Sequence, residues 1–204
     1  MEFIISSILE KEWQMFQAVN RGLARADCQD DPDTFARMRC AQFLTWSEEA
    51  CRSYEQDLTN AEAEGRNLVE EKYIHMMEHC EKGRYAELKS RLPQITPEHK
   101  ALAQTVNCRL ITEAKTLREQ YPFLNRTGRP LESASDTAAD TSLETYQLGE
   151  LLTYSRQTLE LLLSHIETLE ARGESLAMQI QLLSLQAVGF QSLEEAAAFM
   201  EHKG

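Results

Sequence analysis

Residues 39–73 read RCAQFLTWSEEACRSYEQDLTNAEAEGRNLVEEKY and repeat polar side chains at helical spacing. Successive members of this row are three or four residues apart, so on one continuous helix they share a face. An ordinary amphipathic helix directs an apolar face towards the core, whereas this row consists mostly of hydrogen-bonding groups. The row is either a solvated face or the polar wall of an internal pocket. Alternatively, it combines residues of two separate helices that meet at Ser47. Its members are Arg39, Gln42, Trp46, Glu49, Ser53 and Asp57.

The composition of the whole chain extends the helical prediction beyond this stretch. Its 204 residues, 42% of them hydrophobic, suffice for one sizeable core. The 8 glycines and 5 prolines are few for this length, while Leu, Glu, Ala and Gln are plentiful, which favours long helices over strands. We predict an all-α fold in which residues 1–204 form a single domain, a bundle of about seven to nine helices.

The charges and the cysteines restrict the partners and the compartment. The 21 Lys and Arg against 33 Asp and Glu give a formal net charge of −12, so a nucleic-acid partner is not expected. The 5 cysteines form no C-x-x-C pair, which predicts reduced thiols in the cytoplasm. The first apolar run follows an acid, unlike a signal peptide, and no run approaches the ~20 residues that span a bilayer. The chain is therefore predicted to be soluble, with no membrane partner.

Glu12 is the first candidate for a functional side chain. The predicted first helix, from Glu2 to about Ala26, has one apolar side, and steps of about 100° per residue place Glu12 in the middle of that side. A carboxylate buried there alone is costly, so it must find a partner, shift its pKa or bind a cation, unless the helix rotates and leaves it at a rim. We predict that Glu12 is buried and paired with a group of the polar row, with Arg39 as the expected partner. The apolar side comprises Ile5, Ile8, Leu9, Phe16, Val19 and Leu23.

Capping signals predict the helices of the N-terminal part. Asp31 or Asp33 would cap the second helix. The sequence leaves open whether residues 34–64 are one helix or two, because Ser47 could cap a new helix or lie inside a long one. Asn67 has capping-box spacing to an acid three residues later. The predicted helices that follow span residues 68–80, 84–92 and 97–120, the last capped by Thr96.

Residues 125–140 read NRTGRPLESASDTAAD, a polar segment that is poor in apolar side chains. This composition predicts a loop or linker, and the most mobile internal segment of the chain. It separates an N-terminal helical part, residues 2–121, from a C-terminal helical part, residues 141–202.

The C-terminal part is predicted to be a helical hairpin with a further helix. Thr141 and Glu144 have capping-box spacing and would open a long helix that ends near Arg172. Helices at 175–187 and from Ser192 follow. The many leucines of these helices allow a homodimer surface, although an intramolecular bundle would use the same residues.

The candidate ligand-binding residues are Glu12, most of the polar row and further side chains from other predicted helices and one helix junction. Arg66 adds a cation at a helix junction, and Glu144 begins the stripe of the long C-terminal helix, on which Glu150 and Tyr154 stand four apart on another face. Lys72 is expected to form exposed ion pairs. The full set is Glu12, Arg39, Gln42, Trp46, Glu49, Ser53, Arg66, Tyr73 and Glu144.

A metal site has weak support, and none is predicted. Glu71 and His75 are four apart, which is not the Glu-x-x-His spacing of di-iron bundles, and His75 is expected at the surface. The chain contains no Gly-rich phosphate loop, nucleophile elbow or H-E-x-x-H motif, so no cofactor is assigned. A metal site would need at least three carboxylates or histidines to converge, from Glu12, Glu49, Asp57, Glu71, His75 and Glu144.

Two stretches carry a resemblance to a known family. They read CQDDPDTFARMRCAQFLTWSEEACRSYEQDLTNAEAEGRNLVEEKYIHMM at 28–77 and DTSLETYQLGELLTYS at 140–155. Together they resemble a bacterial family that is classified as domain of unknown function 4125, over most of the chain from Glu12 onward. The resemblance implies a single architectural unit in a bacterial protein, with the polar groups of both parts in one domain. It implies no reaction, cofactor or catalytic residue.

Three functions follow as hypotheses. In the first, a polar pocket between helices binds a small polar ligand or supports an enzymatic reaction. In the second, the protein is a non-catalytic interaction or dimerisation protein whose polar row is solvated. In the third, the bundle binds a metal through its carboxylates. Burial of Glu12 together with Arg39 would favour the first.

Overall fold

The computed structural model describes residues 1–19, 27–124, 128–137 and 140–203. Within these ranges it has ten α-helices, three short 3-10 helices and no strand. The all-α prediction is confirmed, and the predicted number of about seven to nine helices is too low. The α-helices are α1 (Glu2–Ala18), α2 (Pro32–Phe43), α3 (Glu48–Ala63), α4 (Leu68–Cys80), α5 (Lys82–Leu88), α6 (Pro97–Gln120), α7 (Leu143–Leu151), α8 (Arg156–Ala171), α9 (Leu176–Gln186) and α10 (Leu193–Lys203).

Side-chain caps define most of the helix starts. Residues 34–64 belong to two helices, because Ser47 caps α3 by accepting a hydrogen bond from a backbone N–H three residues later. Asp31, rather than Asp33, caps α2 in the same way. Asn67 before α4 and Thr96 before α6 act as predicted. These positions could be read from the sequence because a cap bonds to its own helix.

Two helices differ from the prediction at their ends. α1 ends at Ala18, where Val19 adopts an extended conformation, and the rest of the predicted helix, residues 20–26, lies outside the described residues. The helix predicted at 84–92 begins and ends earlier, as α5, and a 3-10 turn at Lys89–Arg91 follows it.

The long helix predicted from Thr141 to Arg172 is two helices, and this break accounts for the tenth helix. α7 is capped by Ser142, one residue after the predicted cap. Ser155 caps α8 through its side chain, and its backbone N–H donates to Asp57 Oδ2 of α3 at 2.9 Å. A local side-chain cap and a carboxylate from a distant helix therefore both satisfy the backbone where the chain turns between the two helices.

The predicted linker is partly described. Residues 128–137 contain a 3-10 turn at Ser133–Ser135 and no α-helix, and residues 125–127 and 138–139 lie outside the described residues. Asp136 accepts hydrogen bonds from the backbone N–H of Ser142 and the hydroxyl of Thr145, both at 2.5 Å. This stretch is thus joined to the start of α7.

The helices before and after this segment pack against each other. α7 contacts α4 and α6, α8 contacts α3 and α6, and α1 contacts α3 and α4. A close approach at Gly149 brings α7 onto α4, since a Cβ at that position would lie 2.9 Å from the backbone oxygen of Lys72. This contact sets Glu150 of α7 beside α4. None of the helices in the described ranges has both the length and the apolar character needed to cross a bilayer.

Candidate ligand-binding site

Glu12 is buried and paired with Arg39, as predicted from its place on the apolar side of α1. Glu12 is 2% exposed, and its Oε2 accepts a hydrogen bond from Arg39 Nε at 2.7 Å. Its Oε1 accepts a second bond from Arg39 Nη2 and a third from the hydroxyl of Tyr54, the latter at 2.6 Å. Every oxygen of this carboxylate is therefore satisfied by donors from α2 and α3.

Glu150 of α7 mirrors this arrangement on the other side of Arg39. Its Oε1 accepts from Arg39 Nη1 at 2.9 Å and from the hydroxyl of Tyr154 at 2.6 Å. Its Oε2 accepts from Lys72 Nζ at 2.5 Å. Arg39 thus bridges two buried carboxylates. We call these six side chains the buried charge network: Glu12, Arg39, Tyr54, Lys72, Glu150 and Tyr154.

The buried charge network balances its charges internally, with two carboxylates and two cations. Burial acts against the charge of Glu150, but the positive charges of Arg39 and Lys72 outweigh it and hold the pKa of Glu150 well below its usual range. Burial likewise opposes the charge of Lys72, and Glu150 outweighs it, so the pKa of Lys72 is raised. Lys72 and Glu150 therefore stay charged near neutral pH.

The two tyrosines of the network act as hydrogen-bond donors. Burial, followed by the charge of the nearby glutamate, raises the pKa of Tyr54 well above its usual value. The pKa of Tyr154 is raised in the same way, with Glu150 as the nearby charge. Their rings contact each other, with centroids 4.6 Å apart. Both phenols are therefore protonated and hold the carboxylates in place.

A cavity of about 270 Å³ lies against this network. Five of the six network residues line it, and Arg129 lies on it from the segment before α7. Tyr146 of α7 connects the two regions, because Lys72 Nζ lies 3.6 Å and the Arg129 guanidinium carbon 4.8 Å from the centre of its ring. The lining residues are Glu12, Phe16, Asp31, Thr34, Phe35, Met38, Arg39, Tyr54, Leu68, Val69, Lys72, Tyr73, Arg129, Tyr146, Glu150 and Thr153.

A family model described as "Protein of unknown function (DUF4125)" matches residues 2–198. The chain belongs to this family. No curated protein and no solved structure is significantly similar to the chain. The match confirms the resemblance seen in the sequence, and it contains every residue of the network and of the cavity wall. The family description assigns no activity.

Three of the predicted ligand-binding residues line the cavity: Glu12, Arg39 and Tyr73. Two others contact residues of the buried charge network but do not line the cavity. Gln42 accepts a hydrogen bond from Arg39 Nη1 at 2.8 Å, and Trp46 is buried, with its ring 6.0 Å from that of Tyr54. Of the polar row of the sequence, Arg39 alone lines the cavity of the described chain.

The remaining four candidates lie away from the cavity. Glu49 is exposed. The Ser53 hydroxyl lies 2.7 Å from that of Thr158 and ties α3 to α8. Arg66 forms a two-pronged pair with Glu71. The carboxylate of Glu144 accepts a hydrogen bond from the backbone N–H of Ser133, and none of these four lines the cavity of the described chain.

The weak metal candidates do not converge in the described part of the chain, where no group of three or more His, Cys, Asp or Glu could hold an ion. Glu12 pairs with Arg39 and Glu71 with Arg66. The expectation that His75 lies at the surface is wrong. His75 is buried, its Nε2 has no hydrogen-bond partner among the described residues, and burial lowers its pKa to about 4.

Lys72 and Glu150 were not in the predicted site, although the sequence carried a signal for Lys72. Lys72 lies four residues after Leu68 and four before Met76, both buried, so it has the same place on an apolar stripe that singled out Glu12. Glu150 had no such signal. The expectation that Lys72 forms exposed pairs is wrong, because its partner Glu150 comes from a helix 78 residues away and covers it.

Proposed function

We propose that the cavity binds a small organic ligand and that the buried charge network is its polar floor. The observation that carries the proposal is a cavity of about 270 Å³ against charged side chains from four helices. A buried ion pair costs desolvation energy and adds little net stability, since apolar residues of similar size often replace it without loss. Four such charges are better explained where they border a cavity than inside a close-packed core.

The size of the cavity restricts the ligand. Sites for drug-sized ligands occupy roughly 300–1,000 Å³, so a volume of about 270 Å³ fits one ring or a short chain. Aromatic and aliphatic side chains, among them Phe16, Phe35 and Val69, form much of the wall. The ligand is therefore expected to combine an apolar body with a polar group.

The protonation states favour binding over covalent catalysis. A lysine that attacks a carbonyl carbon needs a lowered pKa, but the pKa of Lys72 is raised by Glu150. The raised pKa values of Tyr54 and Tyr154 keep both phenols protonated, and both glutamates already accept hydrogen bonds. The network is suited to hold a fixed pattern of charge and not to transfer a proton at neutral pH.

A fragment screen with a matched pair of variants tests the proposal. Ligand-observed NMR on the whole protein is expected to detect small aromatic or aliphatic fragments that bind. Val69→Trp fills the cavity and should abolish this binding, whereas Val188→Trp, at a position 54% exposed and not on the cavity wall, should leave it intact. Circular dichroism checks that both variants fold. A screen without binders, or equal binding by the two variants, would contradict the proposal.

Two further properties belong to this proposal. We propose that residues before and after 125–140 act as one domain, which the contacts of α7 with α4 and of α8 with α3 support. We also propose a cytoplasmic location, supported by the free thiols of the four described cysteines: Cys40, Cys51, Cys80 and Cys108.

A homodimer through the C-terminal helices is a second candidate. The exposed apolar side chains of Val188, Phe199 and Met200 favour it. Light scattering coupled to size exclusion would report a mass of two chains, and Val188→Glu should return it to one. A single-chain mass for the unaltered protein would exclude this candidate.

A further inference from the structure

The cavity presents unused donors and few unused acceptors. Each oxygen of Glu12 and Glu150 accepts at least one hydrogen bond from inside the network. Lys72 carries three N–H donors, and within the described chain only one donates to an oxygen, that of Glu150. The floor of the cavity can therefore offer a hydrogen bond more readily than it can accept one.

Arg129 extends this surplus of donors to the exposed side of the cavity. Of its five N–H groups, one donates to the backbone oxygen of Thr141 at 2.9 Å, and no other hydrogen bond from its side chain is found among the described residues. Lys72 and Arg129 lie close to the same ring, that of Tyr146. Two cations with spare donors thus border one region of the wall.

The charges of the lining support an anionic ligand there. Lys72 and Arg39 are balanced by Glu12 and Glu150, so Arg129 is a cation beyond the balanced network. Asp31 is the third acid of the wall, but it is exposed and its carboxylate caps α2 by accepting from the backbone N–H of Thr34 at 2.9 Å. The positive end of that helix offsets about half of its charge.

We propose that the ligand is a small organic carboxylate, whose anionic group binds Lys72 and Arg129 beside Tyr146 and whose apolar body lies against Phe16, Phe35 and Val69. This inference rests on the proposed function of the cavity. The net charge of −12 repels an anion at a distance, but salt screens that repulsion beyond about 8 Å. Inside the cavity the charge-assisted hydrogen bonds of Lys72 and Arg129 dominate.

Three small aromatic probes of different charge test the ligand class. Benzoate, benzamide and benzylamine share a ring that suits the cavity, and their dissociation constants are measured by NMR titration of the whole protein. Benzoate is expected to bind about tenfold or more tightly than the other two, because charge-assisted hydrogen bonds are roughly twice as strong as neutral ones. Benzamide or benzylamine binding as tightly as benzoate would overturn the inference.

Variants that each remove one positive charge test where the anionic group of the ligand binds. Arg129→Gln should weaken benzoate by about tenfold and leave benzamide unchanged, because only the anion uses the guanidinium charge. Arg156→Gln is the matched control, since the Arg156 side chain is 70% exposed and pairs with Glu160 in α8. Equal effects of the two variants on benzoate would overturn the inference.

The outcomes separate this inference from the proposed function. Binding of benzamide that Val69→Trp abolishes would leave the ligand-binding function in place and exclude the carboxylate class. If benzoate does not bind while other fragments bind in the cavity, the ligand-binding function likewise stands and the carboxylate class is excluded. A cavity that binds no fragment would contradict both proposals.

Discussion

Glu12→Ala tests the central pair of the buried charge network. The substitution removes the acceptor of three hydrogen bonds, two from Arg39 and one from Tyr54. Arg39 keeps Glu150 and Gln42 as partners, but the network then carries one unbalanced positive charge at a site where Glu12 is 2% exposed. Breaking a buried pair by removing one partner costs about 3 to 5 kcal/mol, and we expect a loss in this range.

The assay is urea unfolding followed by circular dichroism, on Glu12→Ala, Arg39→Ala and the double variant. Because the two side chains contact each other, the double variant should lose less free energy of unfolding than the sum of the single variants, by about 2 kcal/mol. Glu62→Ala is the control, since Glu62 pairs with Lys11 of α1 at 3.3 Å but its side chain is 59% exposed. This exposed pair should contribute at most about 1 kcal/mol.

Two results would refute the reasoning. A cost for Glu12→Ala as small as that of Glu62→Ala would mean that the buried carboxylate is not needed to balance Arg39. Additive costs in the double variant would mean that Glu12 and Arg39 do not stabilise each other.

Three other measurements follow from the structure. His75 is buried and its pKa is lowered from 6.5 to about 4, so the unfolded chain takes up the proton at a higher pH than the folded chain. As the pH decreases from 7 to 4, the free energy of unfolding should therefore fall by about 3 kcal/mol more than that of His75→Gln. An equal loss in the two proteins, measured by urea unfolding, would contradict this prediction. Gly149→Ala puts a Cβ 2.9 Å from a backbone oxygen of α4 and should lower the free energy of unfolding by about 1 to 3 kcal/mol. The Cβ of the control variant Gly83→Ala in α5 meets open space, so this variant should raise the free energy of unfolding by about 0.5 to 1 kcal/mol. A higher free energy of unfolding for both variants would disprove the close contact. Limited proteolysis should cut first within 125–140 and leave two fragments that stay associated, and early cleavage inside the C-terminal helices would argue against a linker there.

The helix starts show what could be predicted from local sequence. The sequence predicts Asn67 and Thr96 as caps, and Asp31 as one of two candidates for α2, because each accepts from a backbone N–H only three residues away. The burial of Glu12 was predictable for a similar reason, since the apolar residues that surround it lie on the same helix. The helical periodicity of the sequence thus identified Glu12, one member of the site.

The break between α7 and α8 shows where such predictions end. The leucines of 141–172 continue at helical spacing and favour one helix, yet the chain turns at Ser155, whose hydroxyl caps α8 and whose backbone N–H donates to Asp57, 98 residues away. His75 is predicted at the surface, yet it is buried in α4, which packs against α7. Both errors concern contacts between residues far apart in sequence.

The sequence by itself determined that this protein is helical, where most of its helices begin, and that Glu12 lies on the apolar side of its helix, where burial without a partner is costly. Only the tertiary structure decided that Arg39 also forms an ion pair with Glu150, that Lys72 pairs with the same glutamate, and that a cavity lies against all of them. The physical reason is that a buried charge is tolerated only where its partners meet it. Lys72 and Glu150, 78 residues apart, meet only when α7 packs on α4 at Gly149.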